Sequence, residues 1–117
     1  MPFIREKMKN HNEIIKTAKR IITCEIEKWG LNMEKIYLFG SRARGDFGGD
    51  SDWDFYIILR EDMNFAKKRK IITQIKRKLI EAKIPNDILL QSKSVVENRI
   101  KDVGYLIYYV IKEGVEI

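Results

Sequence analysis

Amphipathic helical segments alternate with short apolar runs along the whole of this 117-residue chain, which limits the folds open to it. Apolar residues that recur every three or four positions predict long helices at residues 12–29, 64–82 and 94–112. The residues expected to face inward are Phe65, Ile72, Ile75 and Leu79 in the second of these helices and Val96, Ile100, Val103, Ile107 and Val110 in the third. Runs rich in β-branched and aromatic residues predict strands at 35–39, 52–59 and 87–90. Only a brief helical turn, Ser41 to Arg44, separates the first two strands. This order predicts an α/β (α+β) fold, a small mixed sheet flanked by helices, in a single domain spanning residues 1–117.

Charge and cysteine content narrow the class of protein. Lys and Arg number 23 against 17 Asp and Glu, a net charge of +6 that favours anionic partners such as nucleotides or nucleic acid. Cys24 is the only cysteine, so no internal disulfide can form, and we expect a buried thiol on the apolar face of the first helix. The N-terminus lacks a secretion signal and no run reaches transmembrane length, so a cytoplasmic protein without membrane association is expected.

Two aspartates at spacing two open the second predicted strand. Asp52 and Asp54 share one face of the strand, with Cα atoms about 7 Å apart, so their oxygens can converge on one or two hard cations. Trp53 and Phe55 take the opposite, buried face. The alternative is that Ser51 and Asp52 are ordinary turn residues and Asp54 is a surface acid.

A Gly-Ser pair stands where the first strand gives way to the short helical turn. Gly40 lets a phosphate approach the backbone, and Ser41 adds a hydroxyl donor at a helix start that favours anions. Arg42 and Arg44 on the same turn could neutralise phosphate charge. The alternatives are a plain N-cap serine after a turn glycine, and an Arg44 that holds the loop by pairing with Asp46 or Asp52.

A third acid, Asp87, begins the last predicted strand. A carboxylate on a strand next to Asp52 and Asp54 could bind metal near an attacking hydroxyl or act as its base. A turn aspartate after Pro85-Asn86 is the alternative.

Taken together, these residues resemble a known family. Gly40-Ser41, Arg42-Ala43-Arg44-Gly45, Ser51-Asp52, Asp54 and Asp87 resemble the DNA polymerase β-like nucleotidyltransferases, most closely the minimal nucleotidyltransferase (MNT) group that includes antitoxin partners of HEPN-domain toxins. The resemblance covers nearly the whole chain. Asn86 is a departure, because the family usually has an apolar residue before the third acid. A shifted register there would turn Asp87 away and leave nucleotide binding without transfer.

The resemblance implies a nucleotidyltransferase fold and an enzyme that moves AMP from ATP to a hydroxyl acceptor. It implies catalytic, metal-binding carboxylates that hold two Mg²⁺ ions, at Asp52, Asp54 and Asp87. It also implies a nucleotide site formed by Gly40, Ser41, Arg42, Arg44 and Ser51.

The last predicted helix indicates a partner. It is apolar most of the way round and rich in tyrosine, which is typical of an interface, although a central core helix would look the same. Larger members of the superfamily complete the nucleotide cleft with a helical domain, so we expect another chain to supply that wall. The resemblance suggests a HEPN-domain toxin with an acceptor tyrosine; self-association through this helix is the other possibility.

Three rival functions are weighed against protein adenylylation. A non-catalytic antitoxin would bind nucleotide and neutralise its partner by occlusion alone. A small-molecule acceptor is disfavoured because no second domain would enclose it. A nucleic-acid acceptor is also disfavoured: the basic runs at 67–70 and 76–78 are most simply a solvated helix face, with no interleaved aromatic residues for base stacking.

Overall fold

The computed structural model describes residues 10–46, 48–49 and 51–117. In the described part the helices are α1 (His11–Lys28), α2 (Ser41–Arg44), α3 (Phe65–Glu81), α4 (Lys93–Arg99) and α5 (Leu106–Glu113). The strands are β1 (Met33–Phe39), β2 (Trp53–Leu59), β3 (Asn86–Ser92) and β4 (Val115–Glu116). The predicted α/β class and order of elements are confirmed through β3. No helix in the described residues is both long and apolar enough to cross a membrane.

The four strands form one mixed sheet in the order β3-β2-β1-β4. β1 pairs antiparallel with both β2 and β4, whereas β2 and β3 run parallel. A parallel pair needs a long crossover connection, and α3 supplies it between β2 and β3. β3 is therefore an edge strand, and both β2 and β3 begin at the same end of the sheet.

Apolar side chains on one face of the sheet pack against α1 and α3, and we call this the two-helix face. It carries Phe55 and Ile57 of β2, Leu38 of β1 and Leu90 of β3, all essentially inaccessible to solvent. α1 and α3 complete this larger part of the core with fully buried Ala18, Ile22, Ile26, Ile71, Ile75 and Leu79.

The opposite face carries the alternate residues of the same strands, and we call it the carboxylate face because Asp54 lies on it. Tyr56 and Ile58 of β2 and Tyr37 of β1 are buried here beneath Val96 of α4 and Ile107 of α5. α5 also packs toward Phe39, the partner of Asp54 in β1. The part around Asp54 and Asp87 is less covered, since Asp54 is half-buried and Asp87 is exposed.

Side-chain caps fix where the helices start. The side chain of Asn10 accepts from Glu13 N–H before α1, Asn64 accepts from Lys67 N–H before α3, and Ser92 accepts from Val95 N–H before α4. Such caps satisfy backbone donors that a helix start leaves unpaired. They explain why the observed starts lie within a residue of the predicted ones.

The predicted continuous helix over 94–112 is wrong, because the chain forms two helices joined by residues 100–105. Asp102 directs the break: its carboxylate accepts from Gly104 N–H at 2.8 Å and its carbonyl accepts from Tyr105 N–H at 3.1 Å. After α5 the chain adds the short strand β4, which the sequence did not predict. Ile107 and Val110 are buried as predicted, whereas Val103 lies in the connection and is 59% exposed.

Two side chains expected in the core are on the surface. Cys24 is exposed, not buried, because the buried positions of α1 are Ala18, Ile22, Glu25 and Ile26. Phe65, expected to point inward, is 72% exposed at the start of α3.

Candidate active site

The close approach of Gly40 to Asp54 defines the centre of the site. Phe39, the last residue of β1, pairs with Asp54 in β2, so Gly40 follows directly beside that carboxylate. Gly40 has φ +73° and ψ −157°, a conformation that is essentially restricted to glycine. A Cβ added at Gly40 would overlap Oδ2 of Asp54. Glycine is therefore needed here both for the backbone turn and for the space occupied by the carboxylate.

The register of the parallel pair brings two of the three predicted acids side by side. Asp54 and Asp87 are direct partners across β2 and β3, and so they project from the same face of the sheet. Asp52 lies two residues before Asp54, just ahead of β2, and is exposed, and its charge acts on Asp54. The shifted register considered for Asn86 does not occur. Asn86 pairs with Trp53 and donates from its amide to the Ile84 carbonyl at 3.1 Å.

The pKa of Asp54 reflects both its burial and the acids around it. Burial is the main cause that raises the pKa of Asp54 above its ordinary value, and the negative charges of Asp87 and Asp52 raise it further. The positive charge of Arg44 acts in the opposite direction and is the smallest of the four effects. A cation beside Asp54 would therefore relieve repulsion that the described cations compensate only in part.

Carboxylates are suitable ligands for a divalent cation, but these side chains do not converge into a formed metal site. Within the described residues no three Asp, Glu, His or Cys side chains are converged closely enough to hold a metal ion. Instead Asp87 Oδ1 lies 3.8 Å from Nζ of Lys76, which reaches over from α3. Asp54 and Asp87 share one face of the sheet and repel each other, and exposed carboxylates move readily, so a bound cation could draw them together. Asp52, Asp54 and Asp87 are thus the candidate ligands for such a cation.

Arg42 binds the segment of chain that precedes Asp52. Its guanidinium donates to the Ser51 carbonyl at 3.2 Å from Nε and 2.9 Å from Nη2, and it lies 4.4 Å above the Trp53 ring. Ser51 closes a turn by accepting from Gly48 N–H at 2.9 Å through its hydroxyl. Arg42 and Ser51, both predicted to bind nucleotide, therefore also position Asp52 by holding the segment before it.

Arg44 and Ser41 lie on the other side of Gly40. Arg44 Nε lies 3.3 Å from Oδ2 of Asp46, one of the two pairings weighed from the sequence, and both side chains are about half exposed. Among the described residues no side chain or backbone group bonds to the hydroxyl of Ser41, which is half-buried. Both side chains border the end of β1 at Gly40.

A cleft of about 260 Å³ opens beside Gly40, between the end of β1 and α5. Phe39, Gly40 and Arg44 line one side of it, and Tyr109 and Glu113 line the other. The cleft is on the β1 side of Asp54, whereas Asp87 lies on the β3 side. The cleft and Asp87 thus lie on opposite sides of Asp54.

Two contacts near the acids were missed from the sequence. Lys76, in a run assigned to a solvated helix face, pairs with Asp87. The ring of His11 lies 4.9 Å from that of Trp53, on the face of β2 opposite Asp54. No local motif marks either contact, because both join segments that only the tertiary fold brings together.

Comparison with known proteins identifies the family. Residues 22–117 match the family model described as "Polymerase beta, Nucleotidyltransferase", and the chain belongs to this family. This confirms the predicted membership and nucleotidyltransferase fold, and identifies the chain as a nucleotidyltransferase enzyme.

Particular relatives agree with this assignment. A Methanocaldococcus jannaschii protein named "Putative protein adenylyltransferase MJ0141" is 31% identical over 91 residues, which cover 78% of this chain and 89% of the relative. The fold is similar to a crystal structure of a "putative nucleotidyltransferase from Sulfolobus solfataricus", with TM-score 0.58 and 24% identity over 88% of this chain and 78% of that one. It is also similar to a "toxin-antitoxin with AMP-PNP", with TM-score 0.50 and 16% identity over 83% of this chain and 69% of that one. The first relative agrees with the nucleotidyltransferase family, and the two crystal structures share its fold.

Proposed function

We propose that this enzyme transfers AMP from ATP to a hydroxyl of a partner protein, with Mg²⁺ as cofactor, and that it acts as an antitoxin. One observation carries the proposal: Asp54 and Asp87 are paired on one face of the sheet, and the backbone of Gly40 lies directly against the Asp54 carboxylate. The adenylyltransferase name of the M. jannaschii relative supports AMP as the transferred group. The fold shared with a toxin–antitoxin structure suggests the biological setting.

The residues of the site have distinct roles in the proposed transfer of AMP. The backbone at Gly40, the hydroxyl of Ser41 and the charge of Arg44 bind the phosphates of ATP. Bound Mg²⁺ would neutralise phosphate charge and lower the pKa of the attacking hydroxyl. Asp87 accepts the hydroxyl proton while the oxygen bonds to the α-phosphorus. The bond from the α-phosphorus to the bridging oxygen then breaks, and pyrophosphate leaves.

Transfer of label from α-³²P-ATP to the partner tests this proposal. The partner would be a HEPN-domain protein encoded beside this gene, with a tyrosine as acceptor. Wild-type enzyme should label it in the presence of Mg²⁺, and Asp52→Asn with Asp54→Asn should abolish labelling while the circular dichroism spectrum stays unchanged. Absence of label with wild-type enzyme, ATP, Mg²⁺ and a soluble partner would reject it.

A second candidate function is neutralisation by occlusion, without transfer. Exposed apolar side chains favour it, since Tyr105, Leu106 and Tyr109 are each more than 40% exposed on one end of the molecule. The intact mass of the partner separates the two functions. Each AMP adds a fixed increment of mass, whereas occlusion adds none and survives the double aspartate substitution.

A further inference from the structure

A second cleft, of about 420 Å³, lies on the β3 side of the acids and has no part in the function described so far. Leu89 and Gln91 of β3 form its floor, together with Tyr56 of β2. Lys68 from α3 lines it on one side of the strand edge, and Arg99 and Tyr105 line it on the other. The cleft thus follows the outer edge of β3, where no other described strand pairs.

Two cations face this cleft without an acid between them. Within the described residues no carboxylate lies within ion-pair distance of Lys68 or Arg99. Arg99 is held in place by the Tyr105 ring, 4.5 Å from its guanidinium carbon. Burial lowers the pKa of Lys68, and the charge of Arg99 lowers it further. Holding two like charges together costs free energy that a bound anion would recover.

The position of the cleft relates it to the acceptor and not to the nucleotide. Asp87, the acid nearest the attacking hydroxyl in the proposed reaction, is two residues before Leu89 on the same face of β3. Two residues of extended chain span about 7 Å and four about 13 Å. An acceptor hydroxyl at Asp87 would therefore have its neighbouring groups in this cleft.

From this geometry we infer that the cleft binds an extended acidic segment of the acceptor protein, laid along the free edge of β3. The inference rests on the proposed function, since it assigns the acceptor its binding site. The unpaired backbone groups of an edge strand suit an extended polypeptide. Lys68 and Arg99 then bind acidic side chains two to four residues from the acceptor hydroxyl. A nucleic acid is disfavoured, because among the described residues only Lys68 and Arg99 bring positive charge to the cleft, and a nucleic acid does not pair with a strand edge.

Binding of defined peptides tests the inference without requiring transfer. The probe is a fluorescent 12-residue peptide with one tyrosine and glutamates two and four residues from it, compared with the same peptide carrying glutamines. By fluorescence anisotropy at low salt, the wild-type enzyme should bind the glutamate peptide about five- to tenfold more tightly, as expected for two partly exposed ion pairs. The preference should shrink as salt is added.

Paired variants identify the cleft. Lys68→Gln with Arg99→Gln should remove the preference for glutamate, whereas Arg20→Gln with Lys78→Gln, the same change of charge at exposed positions outside the cleft, should keep it. Lys68→Glu with Arg99→Glu should instead prefer a lysine-containing peptide, which guards against a variant that merely misfolds.

Several results would overturn the inference. It fails if wild type shows no preference for glutamate, if the Lys68/Arg99 variant keeps it, or if a short RNA displaces the peptide in a manner dependent on Lys68 and Arg99. In transfer assays the cleft variant should raise KM for the glutamate peptide and leave KM for ATP unchanged. If wild type binds the peptide as expected yet never transfers AMP, the proposed reaction fails and this binding site stands.

Discussion

At the scale of single residues, position 40 is the part of the site that most strictly requires one residue type, glycine. Its φ of +73° and the absence of a Cβ are both required beside Asp54. Gly40→Ala should lower the free energy of unfolding by about 1–3 kcal/mol from backbone strain, and should also displace the Asp54 carboxylate. Urea denaturation measures the first effect, and AMP transfer the second.

Gly45→Ala is the matched control for Gly40→Ala. Gly45 has φ +85°, yet nothing lies within 4 Å of an added Cβ. Its substitution should therefore cost about 1–2 kcal/mol of strain and leave transfer largely intact. Equal loss of transfer in the two variants would show that strain in the turn, not contact with Asp54, accounts for the need for glycine at position 40.

The free energy of unfolding should depend on pH through Asp54. Burial, with the charges of Asp87 and Asp52, raises its pKa in the folded chain above the ordinary value of 3.8. The folded state then binds more protons than the unfolded state as the pH rises above about 4, so ionisation of Asp54 lowers stability there. Asp54→Asn removes this penalty. We expect the variant to be more stable than wild type at pH 7, by less than about 1 kcal/mol because the group is partly exposed.

Urea denaturation across pH 3–7 checks the sign. The advantage of Asp54→Asn should shrink toward pH 3, where Asp54 is protonated in both states of the wild type. Added Mg²⁺ should stabilise wild type and not the variant, because only wild type offers the paired acids. A stability difference between Asp54→Asn and wild type that is independent of pH would contradict the raised pKa of Asp54.

At the scale of elements, Gly114 joins α5 to β4. A Cβ at this position would lie 2.5 Å from the Val110 carbonyl oxygen and 2.9 Å from that of Leu38, both backbone atoms that cannot move aside easily. Gly114→Ala should thus cost about 1–3 kcal/mol and loosen the C-terminal segment from β1. Hydrogen exchange in residues 106–117 should become faster. Gly48→Ala, with open space around the added Cβ, is the control, and equal effects of the two would refute this role.

How far the sequence predicts these elements depends on the range of the interactions that form them. Strand β2 was predictable from the sequence. So was the position of Asp54 on the face opposite that of Phe55, because successive side chains along a strand point to opposite faces. The pairing of Asp87 with Asp54 needed the register of two strands 33 positions apart, which local pattern does not contain. The break between α4 and α5 was missed because apolar spacing continues through it. Asp102 and Gly104 were the local turn signal that apolar periodicity obscured.

At the scale of the whole molecule, exposed apolar side chains gather near the C-terminal end of the chain. Val103, Leu106, Tyr109 and Val115 are each 45–59% exposed, and we call these four residues the C-terminal apolar surface. Leu106 and Tyr109 also line the cleft beside Gly40. A partner bound there would therefore close the nucleotide side of the site, as the sequence led us to expect of a second chain. Whether that partner is a HEPN-domain protein or a second copy is decided by experiment.

Substitution of this surface provides that experiment. Tyr109→Asp with Val115→Asp should weaken binding of the proposed HEPN-domain partner by about ten- to a hundredfold, the loss expected from one or two well-buried contacts. Phe65→Asp with Ile80→Asp, on α3 and 72% and 59% exposed, should leave binding unchanged. Calorimetry measures the affinity, and light scattering measures the mass of the enzyme alone. A wild-type dimer that the Tyr109/Val115 variant converts to monomer would assign the surface to self-association, and unchanged binding and mass in that variant would show that partners bind elsewhere.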